Sequence, residues 1–474
     1  MSIKIEQIYT ACLSQGSYFI RSGEDAAIVD PLRETEPYLE LAEKEGVKIK
    51  YIFETHFHAD FVSGHLDLAE ITGATIVYGP GASTSFNIHS ATDGEEFPIG
   101  DHTIVALHTP GHTLESTSYL LKDKKGKELA LFTGDTLFLG DVGRPDLAQD
   151  SSEYSMQDLA GMLYDSLQEK ILPLPDDVVV YPGHGAGSAC GKKMMDKTVD
   201  TLGNQKKVNY ALKTEGKEEF IRVVTEGLEA PPSYFPDNVQ LNKEGYTPLE
   251  KVMKKSLNPL NPERFETVVR RTCATILDTR DPGEFSKGFV CGALNIGLCG
   301  QFAPWVGALL ENVNKPLVLV CEPGKEKESI RRLARVGFDR VLGYLEGGME
   351  SWVKSHRPVD TIDRITAADF ISRLTTENWV VWDVRRPVEY KSGRVKGAIN
   401  LPLNIINEWS CKRFNGRMAA IYCAGGYRSM IAASILKARG VHHFVEVEGG
   451  YKKLVELNPP LEIDEPSAST GAPG

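Results

Sequence analysis

Thr55-His56-Phe57-His58-Ala59-Asp60-Phe61 sets two histidines and an aspartate at alternate positions just after an apolar run, Tyr51-Ile52-Phe53. Three further runs of strand composition also stop at a metal-type side chain. Ile104-Val105-Ala106-Leu107 precedes His112, Leu129-Ala130-Leu131-Phe132 precedes Asp135, and Val178-Val179-Val180-Tyr181 precedes His184. One histidine at a strand end is ordinarily a surface or satisfied core residue. Repeated in this context, such residues predict loops converging on one edge of a sheet. Gly111, Gly134 and Gly183 each precede a candidate ligand, as tight turns around an ion require.

These residues, with Asp30 after Ala26-Ala27-Ile28-Val29, resemble the metallo-β-lactamase superfamily over about residues 1–245, which implies an αββα sandwich. Binuclear zinc members carry His-x-His-x-Asp-His, whose final histidine helps to hold the second metal. Phe61 stands at that position and has no lone pair to donate. His56, His112 and Asp135 retain a two-histidine, one-carboxylate face of the kind that leaves positions open on Fe(II). Within the superfamily this pattern is similar to the persulfide dioxygenases. That resemblance implies one Fe(II) per chain on His56, His112 and Asp135, with His58, Asp60 and His184 orienting the ligands or bound water. Gly140-Asp141-Val142-Gly143-Arg144-Pro145-Asp146 also resembles the family, with Arg144 read as half of a structural salt bridge. Cys190, on the glycine-rich loop after His184, reads either as a small buried hydrophobe or as a thiol near the iron that relays sulfane sulfur.

The second half of the chain is an internal repeat. Ile276-Leu277-Asp278-Thr279-Arg280-Asp281-Pro282-Gly283-Glu284-Phe285 matches Val381-Trp382-Asp383-Val384-Arg385-Arg386-Pro387-Val388-Glu389-Tyr390, and Glu346-Gly347-Gly348 matches Glu448-Gly449-Gly450. The offsets, 383 − 278 = 105 and 449 − 347 = 102, are those of duplicated domains rather than solenoid units. Both units resemble rhodanese domains, which implies small α/β folds around a parallel sheet.

In the second unit, Ile421-Tyr422 reads as a strand end, Cys423-Ala424-Gly425-Gly426-Tyr427-Arg428 as a loop, and Ser429 as a helix start. Cys423 at the mouth of such a loop meets backbone N–H groups and the positive end of a helix, which favour a thiolate and a persulfide. Arg428 adds a cation for an anionic sulfur donor or acceptor, with Ala424, Gly425, Gly426 and Tyr427 framing the substrate. The first unit has Cys321-Glu322-Pro323-Gly324-Lys325-Glu326, with Glu326 in the place of Arg428. A carboxylate beside a thiol raises its pKa and repels anions, so this unit is expected to be degenerate.

The expected organisation is therefore a metallo-β-lactamase-like domain over 1–245, a proline-punctuated linker over 246–262, a degenerate rhodanese over 263–358, an active one over 359–464 and a disordered tail over 465–474. The net charge of −12 disfavours nucleic acid as a partner. No run is long and apolar enough to span a membrane, and the start lacks a signal-peptide core, so a cytoplasmic protein is expected. The eight cysteines form no Cys-x-x-Cys pair, which fits a reducing compartment.

The whole chain resembles persulfide dioxygenase/rhodanese fusions of sulfide detoxification. The resemblance implies a low-molecular-weight thiol persulfide, O2 and sulfite or thiosulfate as partners, and a homo-oligomer. Two other readings stand beside it: a zinc thioester hydrolase of the glyoxalase II kind using His56, His58, His112, Asp135 and His184, and a rhodanese half that docks partners as a sulfur carrier.

Overall fold

The structure is a computed structural model that describes residues 3–147, 154–374, 376–410 and 417–462; the expected tail over 465–474 and Cys411 lie outside the described residues. Contacts divide the chain into two compact units. One is Met1–Met253 with Leu310–Val313 and Arg331–Asp339, and the other is Lys254–Leu309 with Asn314–Ile330 and Arg340–Gly474.

The first unit holds two six-stranded sheets. One runs in the order β1 (Lys4–Thr10), β2 (Gln15–Ser22), β3 (Asp25–Val29), β4 (Lys48–Phe53), β5 (Thr75–Tyr78), β6 (His89–Ser90). The other comprises β7 (Glu96–Ile99), β8 (His102–His108), β9 (Thr117–Lys122), β10 (Glu128–Gly134), β11 (Val179–Pro182) and β12 (Asp200–Thr201), again in sequential order.

Strand alternation sorts the apolar side chains into three layers. Tyr18, Ile20, Phe53, Ile104, Ala106, Tyr119 and Phe132 meet between the sheets. Their neighbours Phe19, Ile28 and Ile52 face the other way, packing with Tyr38 and Leu68 of helices Glu36–Glu45 and His65–Thr72. Val105, Leu120, Leu131 and Val180 pack with Leu163 and Phe220 of helices Met156–Ser166 and Lys217–Thr225. The result is the expected αββα sandwich.

The second unit contains the repeat twice. Strands β13 (Pro259–Leu260), β14 (Thr275–Asp278), β16 (Leu294–Asn295), β17 (Leu317–Val320) and β18 (Val341–Leu345) form a sheet in the order β13-β18-β17-β14-β16. Strands β20 (Arg364–Ile365), β21 (Val380–Asp383), β23 (Ile399–Asn400), β24 (Ala419–Tyr422) and β25 (Phe444–Val447) repeat it as β20-β25-β24-β21-β23, and every pairing in both sheets is parallel. Two short antiparallel ribbons complete the unit, β15 (Phe289–Val290) with β19 (Val359–Asp360) and β22 (Arg394–Val395) with β26 (Leu461–Glu462).

The repeat extends to single hydrogen bonds. Arg280 donates to Asp278 and to the carbonyl of Gly288, and Arg385 donates to Asp383 and to the carbonyl of Gly393.

The stretch through Pro236 to Pro262 differs from the extended, linker-like course that its prolines suggest. Phe235–Glu244 and Leu249–Ser256 are helices, and β13 already belongs to the first repeat's sheet. Pro236 occupies the first turn of its helix, where a missing N–H costs nothing, and Leu249, Val252 and Ser256 fall on one buried face. Among the described residues no helix is long and apolar enough to cross a membrane.

Candidate active sites

The four strand ends of the first unit bring His56, His112, Asp135 and His184 together, as the spacing predicts. Gly134 turns after β10 at φ +49°, and a Cβ on Gly183 would lie 2.6 Å from Asp135 Oδ1, so glycine lets the two loops close on the aspartate.

His56, His112 and Asp135 are all buried, with ligand-type atoms grouped within 4.8 Å. Asp135 Oδ2 lies 3.9 Å from His56 Nε2 and 3.5 Å from His112 Nε2, and it accepts no hydrogen bond. Both tautomers are fixed from behind. His112 Nδ1 lies 2.8 Å from the carbonyl of Arg144, which only accepts, so the ring donates there. Thr55 spends its hydroxyl hydrogen on Asp30 at 2.8 Å, so His56 Nδ1 donates to Thr55 Oγ1 at 3.0 Å. Two Nε2 lone pairs and an orphaned carboxylate oxygen thus face one point, and this donor set fits a divalent metal. Burial, then the neighbouring His58, holds His56 well below the usual imidazole range. Burial alone would raise Asp135, but His184 and the two ligand-type histidines hold it far below the carboxylate range.

His58 belongs to a different cluster. Its Nε2 sits 3.0 Å from Asp30 Oδ1 and 3.2 Å from Glu54 Oε2, and against the penalty of burial these carboxylates push it up to about 10. The Phe61 ring, fully buried, lies against it at 4.3 Å between centroids. Glu54, which also faces His65 Nδ1 at 3.4 Å and accepts from Ser63, went unmarked by the motif, because a single glutamate in a strand-end loop reads as surface charge. Asp60, His184 and Cys190 form a third buried group, with His184 Nε2 at 2.8 Å from Asp60 Oδ2 and Nδ1 at 2.8 Å from Asp135 Oδ1. Burial, Asp60 and Asp135 drive the Cys190 thiol well above its usual range. Arg144 makes a bidentate pair with Asp146 at 2.6 and 2.7 Å.

In the second unit Cys423 follows β24 and is 1% exposed, so its sulfur lies at the floor of the loop rather than at its mouth. The Gly426 N–H donates to Sγ at 3.1 Å, and Ser429 Oγ stands 3.4 Å away. The helix starts at Tyr427, two residues earlier than the sequence suggests, because Gly426 turns into it at φ +97°. Arg428 therefore projects from the first helical turn, where it pairs with Glu389 at 2.6 and 2.7 Å. Cys321 in the first repeat keeps a serine contact, to Ser329 at 3.5 Å, and burial pushes its thiol up to about 11. Serine follows the cysteine by eight residues there and by six in the second repeat, so the two loops differ in length as well as charge.

The metallo-beta-lactamase superfamily signature matches residues 11–184, and the rhodanese-like domain signature matches 261–355 and 366–457. The chain is 35% identical over 220 residues to the hydroxyacylglutathione hydrolase of Rhizobium etli, covering 45% of this chain and 78% of that protein. It is 29% identical over 206 residues to the persulfide dioxygenase ETHE1, mitochondrial, of Homo sapiens, covering 43% and 72%. Across several curated relatives the chain spans 58% to 78% of their own length. A solved metallo-beta-lactamase from Staphylococcus aureus subsp. aureus COL superposes with a TM-score of 0.63 at 29% identity, over 73% of this chain and 98% of that one. The chain belongs to the metallo-beta-lactamase superfamily, with a domain of that fold followed by two rhodanese-like domains.

Proposed function

We propose that the first domain is a mononuclear Fe(II) persulfide dioxygenase and that Cys423 of the last domain is a sulfurtransferase nucleophile. The observation that supports the first half is the fate of His58: set 3.0 and 3.2 Å from Asp30 and Glu54 and backed by Phe61, it stands in a separate group from His56, His112 and Asp135, which make a three-donor set of their own. His56, His112 and Asp135 would hold the iron ion, which would supply the redox chemistry with the persulfide and O2. The chain's own residues orient that set: the Arg144 carbonyl fixes His112, the Asp30–Thr55 pair fixes His56, and His184 fixes Asp135. In overall balance R–S–SH, O2 and water give R–SH and sulfite with its two protons.

Cys423 then carries sulfane sulfur as Cys423–S–S⁻. Sulfite attacks the outer sulfur, the S–S bond to Cys423 breaks, and thiosulfate leaves with the thiolate electron pair remaining on Sγ; the reverse reaction charges Cys423 from thiosulfate. Low-molecular-weight thiol persulfides are the substrates of the first site, Arg428 is the anion contact of the second, and the first repeat is catalytically silent. Residues 1–245, 263–358 and 359–464 are the corresponding functional domains, and a cytoplasmic setting accords with the free cysteines.

The testing experiment loads the protein anaerobically with Fe(II) and follows O2 uptake on addition of glutathione persulfide or coenzyme A persulfide, with sulfite and thiosulfate quantified. Thiosulfate from the parent and sulfite from Cys423→Ser is the expected result. Zinc-supported hydrolysis of a glutathione thioester with no O2 uptake on any persulfide would overturn it in favour of a hydrolase.

A further inference from the structure

Cys423, Ser429 and Glu446 form a buried line in the second rhodanese-like domain. Ser429 Oγ is 3.4 Å from Cys423 Sγ and 2.6 Å from Glu446 Oε1, while Arg364 Nε donates to Glu446 Oε2 at 2.8 Å. The three side chains are at most 1% exposed. A serine hydroxyl has one hydrogen and here two acceptors. An ionised Glu446 takes that hydrogen and leaves the sulfur without it. A neutral Glu446 donates its own proton to Ser429 Oγ and frees the serine hydrogen for Sγ.

We propose that Glu446, held by Arg364, is a positioning residue for sulfur transfer: through Ser429 it turns a hydroxyl hydrogen onto or off Cys423 Sγ according to its own protonation. This rests on the reading of Cys423 as the sulfur carrier. When sulfite or another thiophile takes the outer sulfur of Cys423–S–S⁻, the electron pair of the broken bond stays on Sγ. With Glu446 neutral, the Ser429 hydrogen is aimed at the atom on which that charge is held.

The repeat supplies an internal comparison. Arg364 pairs with Glu446 across β20 and β25, and the corresponding pair across β13 and β18 is Pro259 and Tyr344. The first repeat keeps its cysteine–serine contact but has neither the carboxyl nor its arginine. Burial raises Glu446 to about 7 against the pull of Arg364 and the Ser429 hydrogen bond. Glu448, two residues further along the chain, shares Arg364 at 3.4 Å and adds to the rise. Arg428, on the helix that carries Ser429, is engaged by Glu389. The turn at Gly426 also passes close to the carboxyl, since a Cβ there would lie 3.6 Å from Glu446 Oε1. The switch therefore operates near neutrality.

The test is the rate of Cys423 alkylation by iodoacetamide, read by peptide mass spectrometry on the full chain from about pH 6 to about pH 8.5, in parent, Glu446→Gln, Ser429→Ala and the double variant. In Glu446→Gln, Arg364 donates to the amide oxygen, so the amide N–H faces Ser429 and mimics the neutral acid at every pH. The expected ratio of variant to parent rate is near unity at the acid end and rises several-fold at the alkaline end, and the rise vanishes in the Ser429→Ala background. A ratio independent of pH, or one that persists without Ser429, overturns the proposal, the latter because it would reflect charge alone. Thiosulfate-to-cyanide transfer by the parent is measured alongside. Its absence with the pH-dependent ratio intact would sink the sulfur-carrier reading while leaving the hydroxyl switch standing.

Discussion

Arg428 and Glu389 face each other in a two-pronged pair, with Nη1 at 2.6 Å from one carboxylate oxygen and Nη2 at 2.7 Å from the other. The guanidinium in the Cys423 loop is thus already committed, and an anionic sulfur donor must displace a carboxylate to reach it. Arg428 holds Glu389 below the usual carboxylate range against the effect of burial. The pair is therefore intact at neutral pH and opens as Glu389 is protonated in acid.

Glu389→Gln should free one face of Arg428 and remove a competing negative charge. Thiosulfate KM in the thiosulfate-to-cyanide assay should fall roughly three- to tenfold, with kcat changed far less, since a partly exposed ion pair exerts about 1 kcal/mol of hold. An unchanged KM would mean that Arg428 does not contact the anion.

Phe61→His should return a donor next to Asp60 in the chain, in place of a ring that now packs against His58 at 0% exposure. The variant should bind a second zinc ion that the parent does not, measured by metal analysis after dialysis, because an added imidazole together with Asp60 and His184 makes three nitrogen and oxygen donors, the protein ligand count of an open zinc site. The ordinary cost of placing a polar ring in a packed site lowers its Tm in the metal-free form. Equal zinc content in both proteins would show that Phe61 does not limit the metal count.

Cys321 offers a test of the silent repeat. A thiol pushed up to about 11 is a thiolate to roughly one part in a thousand at pH 8. Cys321→Ser should leave sulfur transfer within about twofold of the parent, and peptide mapping after brief iodoacetamide treatment at that pH should find Cys423 alkylated well before Cys321. Transfer that survives Cys423→Ser and is lost only when Cys321 is also replaced would refute the assignment.

The metal-type residues were legible because each follows an apolar run by a few positions, so strand order alone brings them to one edge. The repeat was equally legible, since Asp278-Thr279-Arg280 and Asp383-Val384-Arg385 make the same hydrogen bonds. Residues that act from an adjacent strand were not. Glu446 lies 23 positions after Cys423 and reaches it only because β25 pairs with β24 in parallel. The sequence signal for it was a difference inside the repeat, Glu446 against Tyr344. Glu54 and His65 were hidden for a similar reason: their partner His58 reads as a ligand until Asp30 and Glu54 are seen to enclose it. The helices at Phe235–Glu244 and Leu249–Ser256 were masked by prolines that in fact sit at or just before helix starts.

That enclosure gives His58 a measurable pH signature. Its folded pKa, about 10, lies above the ordinary imidazole value because Asp30 and Glu54 favour the cation more than burial disfavours it. A raised pKa contributes stability that is fully present below about pH 6.5 and is lost as pH climbs through the folded value, at about 1.4 kcal/mol for each pH unit between the two. His58→Gln removes the titration and leaves the two carboxylates without their cation. The urea midpoint of metal-free parent protein should exceed that of the variant most near neutrality and below, and the gap should narrow steadily toward pH 10. A gap of constant size across that range would mean that His58 is neutral in the folded protein, and it would return the histidine to the set of possible metal donors.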